Sequence, residues 1–365
     1  MIFFDKVVKK IISSLSNNYT DNWDHVRFGK QKPIAATSFV RKSIQNKFRE
    51  RGYYHIGTFE AVLRNSFQIH KFEFLYNQLV TAQDKDLLIQ VLAYRVLGPT
   101  KVRLPLSNPA YWERIKELEK LCDKNDKIDP GFLHFSLEKV NLNPIGFPIE
   151  FYFTAAGIMT DFVVKQYEYN KNGVVIKADK GDNVIDGGGC WGDTALYFAN
   201  EAGAQGKVFS FEFIPNNIEI FNKNISMNNN LRDSIELVNH PLWDNSSTKA
   251  FFKDFGPGSK VSMDRFADAD GECMTKCIDD LVTEKKLDSL DFIKLDIEGA
   301  ELKALEGAAD SIKRFKPKIA VALYHNEEDF EAIPLYLKQL VPEYNFYFSH
   351  CTMYAEESIL FAKAN

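Results

Sequence analysis

The chain has 365 residues, 45% of them apolar, so it can bury a substantial core and is long enough for two domains. It contains no run of about 18 uncharged apolar residues, which argues against a membrane-spanning helix, and its first ten residues lack the apolar segment of a signal peptide. The five cysteines are odd in number and widely spaced, as is typical of a reducing compartment, so we expect a cytoplasmic protein.

Residues 1–148 are predicted to form a mainly helical N-terminal domain that contacts the acceptor or another partner. Apolar side chains recur every three to four residues over 87–96 and 110–121, which predicts two helices. Basic residues outnumber acidic ones in this part of the chain, which fits either an anionic partner or a solvated lysine-rich face. A run rich in Pro, Gly and Asn at 141–148 predicts the domain boundary.

Residues 149–365 alternate between predicted strands and helices, which indicates a mostly parallel sheet covered by helices on both faces. The predicted strands cover residues 184–185, 207–211, 235–239, 292–295 and 318–323, and the predicted helices cover residues 194–202, 216–228, 301–312 and 333–340. Two final strands, 345–348 and 358–361, follow one another without a helix. They predict a hairpin that gives the sheet one antiparallel edge strand.

The most informative segment lies between the first of these strands and the next helix. The strand ends at Asp186, the glycines 187–189 follow, and Gly192 begins a helix-like stretch. A strand, a tight turn and a helix N-terminus are the usual seat of a nucleotide-like cofactor, because glycine permits positive φ and close approach of a ligand. Glu212 lies at the end of the following strand, where an acidic side chain accepts hydrogen bonds from ribose hydroxyls.

This glycine pattern alone fits NAD as well as S-adenosylmethionine, because both ligands contain adenosine. Asp186, placed before the first glycine, would repel a pyrophosphate and attract the ammonium group of methionine. A second acidic strand end at 296–301 and the terminal hairpin also favour S-adenosylmethionine. An NAD-dependent Rossmann oxidoreductase remains the alternative from a different class of enzyme.

Residues 160–365 resemble the FkbM-type S-adenosylmethionine-dependent methyltransferases, which modify hydroxyls of sugars and related natural products. The segments that carry the resemblance are 184–195, 211–215, 292–301, 324–330 and 333–335. The resemblance implies an α/β, Rossmann-like class I methyltransferase fold, with a seven-stranded, mostly parallel sheet and a C-terminal antiparallel hairpin. It also implies an O-methyltransferase whose acceptor is a saccharide or glycan-type natural product. Cys190 and Trp191 depart from the family, which usually has Asn before the second glycine of the helix.

The same resemblance implies a cofactor site. Asp186 and the backbone of the three glycines would hold the methionine portion, and Glu212 would hold the ribose, although Glu212 can also be interpreted as a cap of the helix after Pro215. Ile214 and Leu242 would enclose the adenine, and Tyr167 would close over the cofactor. The predicted cofactor-binding residues are Asp186, Gly187, Gly188, Gly189, Gly192, Glu212, Ile214, Leu242 and Tyr167.

Methyl transfer to a hydroxyl also needs a base, because a sugar hydroxyl is a poor nucleophile near neutral pH. His325 is the first choice, since the ordinary pKa of histidine lies close to working pH, although it can also be interpreted as a surface residue. Asp296 can orient His325, accept the proton itself or bind a divalent ion, and Glu298 is expected to reach the substrate. These three side chains can together hold Mg²⁺, a point that the sequence leaves open along with the oligomeric state.

A methyltransferase acting on nucleic acid, or on another small molecule, is an alternative within the same fold. Enzymes that methylate the amino groups of bases usually carry an Asn/Asp-Pro-Pro-aromatic loop after the fourth strand. This chain has Asp-Ile-Glu-Gly at 296–299, an acidic edge that repels phosphates, so no nucleic-acid partner is expected.

Overall fold

The computed structural model describes residues 3–29, 68–132 and 135–364. The part of the predicted N-terminal domain at residues 30–67 lies outside the described residues. The strands are β1 (Cys122–Ile128), β2 (Leu137–Asn141), β3 (Glu150–Phe153), β4 (Tyr169–Lys171), β5 (Val174–Ile176), β6 (Asn183–Gly187), β7 (Lys207–Phe211), β8 (Ile235–Val238), β9 (Lys249–Lys253), β10 (Lys260–Ser262), β11 (Gly271–Met274), β12 (Phe292–Leu295), β13 (Lys318–Ala322), β14 (Tyr344–His350) and β15 (Ser358–Ala364).

Helices occupy both the N-terminal part of the chain and the connections between the strands. The longer helices are Phe3–Ser14, Ala82–Leu97, Pro109–Leu118, Asp193–Ala202, Pro215–Ser226, Ile278–Lys285 and Asp329–Leu340. The shorter ones are His25–Phe28, Glu73–Gln78, Ala155–Ile158, Asn229–Arg232, Glu301–Glu306 and Ala309–Phe315, with a π-helical turn at Met159–Val164. No helix in the described ranges is long and apolar enough to cross a bilayer.

A seven-stranded sheet forms the centre of the molecule, in the order β14-β15-β13-β12-β6-β7-β8. Strands β6, β7, β8, β12 and β13 are parallel, and β15 runs antiparallel to both of its neighbours. The prediction of a mostly parallel α/β sheet is therefore confirmed. The predicted C-terminal hairpin is also confirmed: it supplies the edge strand β14, which pairs antiparallel with β15, while β15 itself lies inside the sheet between β13 and β14.

The edge strand β14 is covered by residues that precede the methyltransferase-like part of the sequence. Val80 donates from its backbone amide to Phe346 O over 3.1 Å, and Phe348 donates to the Asp84 carboxylate over 3.1 Å. This cover limits pairing with other chains, which is the usual hazard of an exposed edge strand.

Alternate residues of the central strands face two separate hydrophobic cores. Ile185, Phe209 and Ile293 pack into a core shared with the helices Phe3–Ser14 and Ala82–Leu97. Val184, Val208 and Phe292 pack into the core on the opposite face, which is shared with the helix Asp193–Ala202. The sheet is thus buried on both faces, which explains why its strands read as short apolar runs.

Three smaller sheets complete the fold. Strands β1, β2 and β3 form one antiparallel sheet, β10, β9 and β11 form another, and β4 and β5 form a hairpin. Strand β2 lies before and β3 after the boundary predicted at residue 148, and the two pair over four residues. The division into domains at that position stays a prediction.

His350, on β14, is expected to make the free energy of unfolding depend on pH. His350 is buried, with Nε2 donating to Tyr354 O over 2.7 Å and Nδ1 accepting from the Ser358 hydroxyl over 2.9 Å. Burial lowers the pKa of His350 to about 3. In the folded state the His350 ring is therefore neutral, whereas in the unfolded state it binds a proton below about pH 6.5. The contribution of the neutral ring to the free energy of unfolding is present above that pH and is lost as the pH falls.

We expect the wild type to lose about 2 kcal/mol more unfolding free energy than His350→Gln between pH 7 and pH 5. Urea denaturation of both proteins at the two pH values measures this difference, and the glutamine variant serves as the control for all other titrating groups. Equal losses in the two proteins would contradict the assignment.

Candidate functional site

The glycine-rich turn joins the end of β6 to the helix Asp193–Ala202, at the carboxyl edge of the sheet. Gly188, Cys190 and Gly192 have φ angles of 85°, 43° and 86°, so the turn uses left-handed backbone at three positions. The amides of Gly188 and Gly189 both donate to Phe211 O, over 3.2 and 2.8 Å. These donors are therefore already bonded to β7, and their predicted role towards a methionine portion stays a prediction.

Packing against neighbouring strands explains two of the glycines. A Cβ on Gly188 would lie 2.0 Å from Asp296 O, and a Cβ on Gly189 would lie 2.1 Å from Ser210 Oγ. The first atom belongs to the backbone directly after β12 and cannot move aside like a flexible side chain. The turn is thus held between β12 and β7, with its position fixed on both sides.

Asp186 is fully buried beneath this turn. In register with it stand Ser210 on β7 and Lys294 on β12, so the three side chains form a row across one face of the sheet. Its carboxylate accepts from Ser210 Oγ over 2.7 Å and from Thr194 Oγ1 over 2.9 Å, and it lies 3.1 Å from Lys294 Nζ. With these internal partners Asp186 stabilises the turn, and direct contact with an ammonium group stays a prediction.

Lys294 was not among the residues predicted to form the site. Its Nζ donates to Gly187 O over 2.9 Å and to Gly188 O over 2.7 Å. Lys294 therefore binds both the turn and the Asp186 carboxylate. Burial alone would lower the pKa of Lys294, but the charges of Asp186 and Asp296 outweigh it and raise that pKa. A lysine within the apolar strand 292–295 is itself a signal, because a charge in a buried strand requires a partner.

Glu212 lies directly after β7 and is 6% exposed. Its Oε1 accepts from the amides of Phe213 and Ile214 over 2.6 and 2.8 Å, and its Oε2 accepts from Asn217 Nδ2 over 3.1 Å. Burial raises the pKa of Glu212 to about 7, although these donors act in the opposite direction. The carboxylate therefore binds the two backbone amides that precede the helix Pro215–Ser226 without capping its first turn, while Oε2 has capacity for a further donor such as a ribose hydroxyl.

The two residues predicted to enclose an adenine are both buried. Ile214 is 1% and Leu242 is 2% exposed, so both are core residues in this structure. A Cβ on Gly187 would lie 2.9 Å from Leu242 Cδ1, which places Leu242 over the end of β6. Contact of either residue with adenine stays a prediction.

Asp296, directly after β12, is held by two tyrosines. The hydroxyl of Tyr167 donates to Oδ2 over 2.7 Å, and the hydroxyl of Tyr324 donates to Oδ1 over 2.8 Å. The Tyr167 ring also lies over Lys294, with 5.1 Å between Nζ and the ring centroid. Tyr167 therefore connects the turn to Asp296, and Tyr324, which was not predicted, fixes Asp296 from the side of β13.

His325 meets three carboxylates after β13. Its Nδ1 lies 2.8 Å from Glu301 Oε1, and its Nε2 lies 3.5 Å from both Asp296 Oδ1 and Glu298 Oε2. Burial would lower the pKa of His325, but the neighbouring Glu298, Glu301 and Asp296 raise it to about 11. The argument that selected His325 as base from the ordinary pKa of histidine therefore does not apply, because the pKa of this residue is raised. The role of His325 as base stays a prediction.

The structure thus brings the predicted groups to one edge of the sheet, where comparison with known proteins becomes informative. Residues 175–347 match the family model described as the methyltransferase FkbM domain. This part of the chain is an FkbM methyltransferase domain. The comparison with curated proteins found no match.

Solved structures share the fold of the FkbM domain. An FkbM methyltransferase from Methylobacillus flagellatus KT is 18% identical with a TM-score of 0.50, over 83% of this chain and 60% of that chain. The chain therefore spans less than two thirds of that protein, and the likeness confirms the class I methyltransferase fold. An O-methyltransferase from Bacillus cereus is 12% identical with a TM-score of 0.35, over 69% and 91% of the two chains, a likeness too low to support an argument.

Three further acidic residues of the site were not predicted. Burial and the neighbouring charge of Asp193 raise the pKa of Asp161 well above its usual range, and burial raises the pKa of Asp193 to about 6. Burial and the charge of Asp296 raise the pKa of Glu357 to about 8. Asp193 follows the glycine pattern of the FkbM domain and was open to prediction, whereas Asp161 and Glu357 are distant in sequence and carry no such signal.

The contact between the glycine turn and β12 predicts a measurable difference between two glycine substitutions. Gly188→Ala adds both a positive-φ strain and a clash with Asp296 O. Gly181→Ala adds only the strain, because Gly181 has a φ of 91° and nothing within 4 Å of its Cβ position. We expect Gly188→Ala to lower the free energy of unfolding by about 1–3 kcal/mol more than Gly181→Ala, measured by urea denaturation. Equal losses would contradict the packing argument.

Proposed function

We propose that this chain transfers the methyl group of S-adenosylmethionine to a hydroxyl oxygen of a saccharide or glycan-type natural product. The observation that carries the proposal is the position of the acidic groups in an FkbM methyltransferase domain. Glu212 follows β7 and Asp296 follows β12, on either side of the glycine turn that follows β6. This edge, outside the carboxyl ends of parallel strands, is where ligands of open α/β sheets bind.

The charge at this edge supports a cationic cofactor. Burial and the charges of Asp296, Glu357 and Asp161 raise the pKa of Tyr167, and burial and the charge of Asp193 in turn raise the pKa of Asp161. The Lys294 ammonium group is already paired with Asp186 and bonded to the turn carbonyls. S-adenosylmethionine offers a sulfonium and an ammonium to such an edge, whereas the pyrophosphate of NAD would add negative charge. The antiparallel β15 within the sheet also favours a methyltransferase over the dehydrogenase alternative.

Within this proposal each predicted residue takes one role. Glu212 binds the ribose, Ile214 and Leu242 adjoin the adenine, and the turn with Asp186 positions the methionine portion. Asp296 and His325 act as one unit that removes the acceptor proton, and Glu298 adjoins the acceptor. We place the reaction in the cytoplasm, since the five cysteines, all in the described part of the chain, are free and stay reduced there.

The reaction is tested by binding and by transfer of a labelled methyl group. Calorimetry should show binding of S-adenosylmethionine and none of NAD. Incubation with methyl-tritiated S-adenosylmethionine and glycan extracts should place tritium in O-methyl groups, identified by mass spectrometry. Binding of NAD without S-adenosylmethionine would overturn the proposal, and label in nucleic acid would replace the acceptor class.

The ribose role of Glu212 predicts a pH-dependent affinity. The ionised carboxylate accepts from ribose hydroxyls, so binding favours the charged form, and affinity is present above pH 7 and falls as pH drops through that value. We expect the Kd for S-adenosylmethionine to be about tenfold weaker at pH 6 than at pH 8. Glu212→Gln should bind more weakly and lose this pH dependence. The exposed Glu219→Gln on the adjacent helix is the control and should retain it, and the same pH dependence in Glu212→Gln would contradict the role.

The pairing of Asp296 with His325 predicts non-additive kinetics. We expect Asp296→Asn and His325→Gln each to lower kcat at least about 100-fold while the Kd for S-adenosylmethionine changes little. The double variant should be about as slow as the worse single variant, because the two residues serve one step. Multiplied losses in the double variant would show that they act separately.

A further inference from the structure

Trp191, which departs from the FkbM pattern within the glycine turn, has a partner in the helix Pro215–Ser226. Its indole Nε1 donates to Asn217 Oδ1 over 3.2 Å, and the two residues are buried, at 6% and 1% exposure. An indole nitrogen can only donate, so this bond requires the oxygen end of the Asn217 amide. Trp191 therefore fixes which way that amide points.

The nitrogen end of the Asn217 amide serves Glu212. Asn217 Nδ2 donates to Glu212 Oε2 over 3.1 Å and to Gly256 O, in the loop between β9 and β10, over 3.3 Å. Both hydrogens of the amide are thus used, and its oxygen is bonded to Trp191. Because a buried amide keeps the orientation that satisfies its polar atoms, Nδ2 stays towards the Glu212 carboxylate.

Trp191 is itself held by a second asparagine of the same helix. Asn224 lies seven residues after Asn217, on the same helical face, and its Nδ2 donates to Trp191 O over 2.8 Å. The Trp191 ring packs edge to face on Phe153, with 6.3 Å between the ring centroids. The backbone and the side chain of Trp191 therefore both have fixed positions relative to the helix.

We infer that Trp191 and Asn217 are positioning residues that hold the Glu212 carboxylate at a fixed place relative to the glycine turn. The turn is proposed to position the methionine portion of the cofactor and Glu212 the ribose, so the pair joins the two ends of the cofactor site. This use of Glu212 rests on the proposed function, whereas the hydrogen bonds themselves belong to the chain without a ligand.

The bond from Asn217 also acts on the ionisation of Glu212. Burial raises the pKa of Glu212 to about 7, and the amides of Ile214 and Phe213 and the side chain of Asn217 lower it. A donor that bonds a carboxylate favours its ionised form, so loss of the Asn217 amide raises the pKa of Glu212 further.

Two titratable groups of other segments act together with Glu212. The charge of Lys294, on β12, lowers the pKa of Glu212. The Cys190 thiol lies in the turn, where burial and, to a smaller extent, the charge of Glu212 raise its pKa well above the usual range, so the thiol stays neutral. Neither group is changed by substitutions in the positioning pair, so a shift in the titration of Glu212 reports the lost donor.

The test is the titration of Glu212 in the ligand-free full chain, followed by nuclear magnetic resonance of isotope-labelled glutamate carboxyls and assigned with Glu212→Gln. We expect Asn217→Ala to raise the pH of half-ionisation by about one pH unit, because the ionised carboxylate loses a donor. Trp191→Phe removes only the indole donor and should raise it by less. The control is Asn216→Ala, since this exposed neighbour bonds Pro130 O over 2.7 Å and should titrate as the wild type does.

The affinity for S-adenosylmethionine separates positioning from a general loss of structure. With half-ionisation about one pH unit higher, Asn217→Ala should bind about fivefold more weakly than the wild type at pH 7 and about equally at pH 9, where Glu212 is ionised in both proteins. A structural defect would weaken binding at both pH values. Thermal denaturation of each variant confirms that it is folded, and Trp191→Phe decides in the same way if Asn217→Ala does not fold.

An unchanged titration of Glu212 in Asn217→Ala, or an equal loss of affinity at pH 7 and pH 9, would overturn the positioning role. The titration needs no ligand and therefore keeps the two proposals apart. A raised half-ionisation in a chain whose wild type does not bind S-adenosylmethionine overturns the proposed function and supports the link between the turn and Glu212.

Discussion

The buried ion pair between Lys294 and Asp186 is the interaction on which the site depends. It joins the two central strands β6 and β12, and the same ammonium binds two carbonyls of the glycine turn. Burying two charges is costly, but here each partner is surrounded by further hydrogen bonds, as a stable buried pair requires. Loss of either partner alone would leave an uncompensated charge beneath the turn, at a cost of about 3–5 kcal/mol. The positions of Asp186, the turn and Asp296 are therefore set together.

Around this pair the charges divide into two regions with different chemistry. Beneath the turn, Asp186 is matched by Lys294 and by neutral donors, which makes this region structural. Above it, Asp296, Glu357 and Asp161 lie close together, and burial with their mutual repulsion raises the pKa of Glu357 and Asp161, so a positive ligand would favour their ionised forms. Two tyrosine hydroxyls bind Asp296, and the ring of one of them, Tyr167, lies over Lys294, so this tyrosine contacts both regions.

The sequence predicts the main elements well, because strands buried on both faces appear as apolar runs between turns. Strands 207–211 and 292–295 lie where they were predicted, and most of the others differ by one to three residues at their ends. Strands β9 to β11 were missed because they are short and partly exposed, so their apolar pattern is weak. The helix predicted over 301–312 is divided in two: the first helix ends at Glu306, before Gly307, and a second begins at Ala309.

The residues of the candidate site that directly follow strand ends could be predicted from the sequence. Those that come together from segments distant in the sequence were missed. Asp296, Glu212 and His325 each follow a recognisable strand, so their common edge follows from the topology. Tyr324 follows β13 and Glu357 lies in the loop before β15, and the proximity of both to Asp296 depends on where the antiparallel strand is inserted. The bonding of Asp186 to Lys294 depends on register, which the apolar pattern does not specify between parallel strands.

The position of β15 also has a consequence for how the protein is made. Residues 358–364 are synthesised after the other six strands of the central sheet, yet they pair between β13 and β14 in the interior of the sheet. Until they leave the ribosome, β13 and β14 each lack a neighbour, and the sheet has an open seam next to Tyr324 and His325. Domains generally fold as units during synthesis, from the N-terminal side onward. In this chain the edge of the sheet next to Tyr324 and His325 is therefore completed only after residues 358–364 have been synthesised.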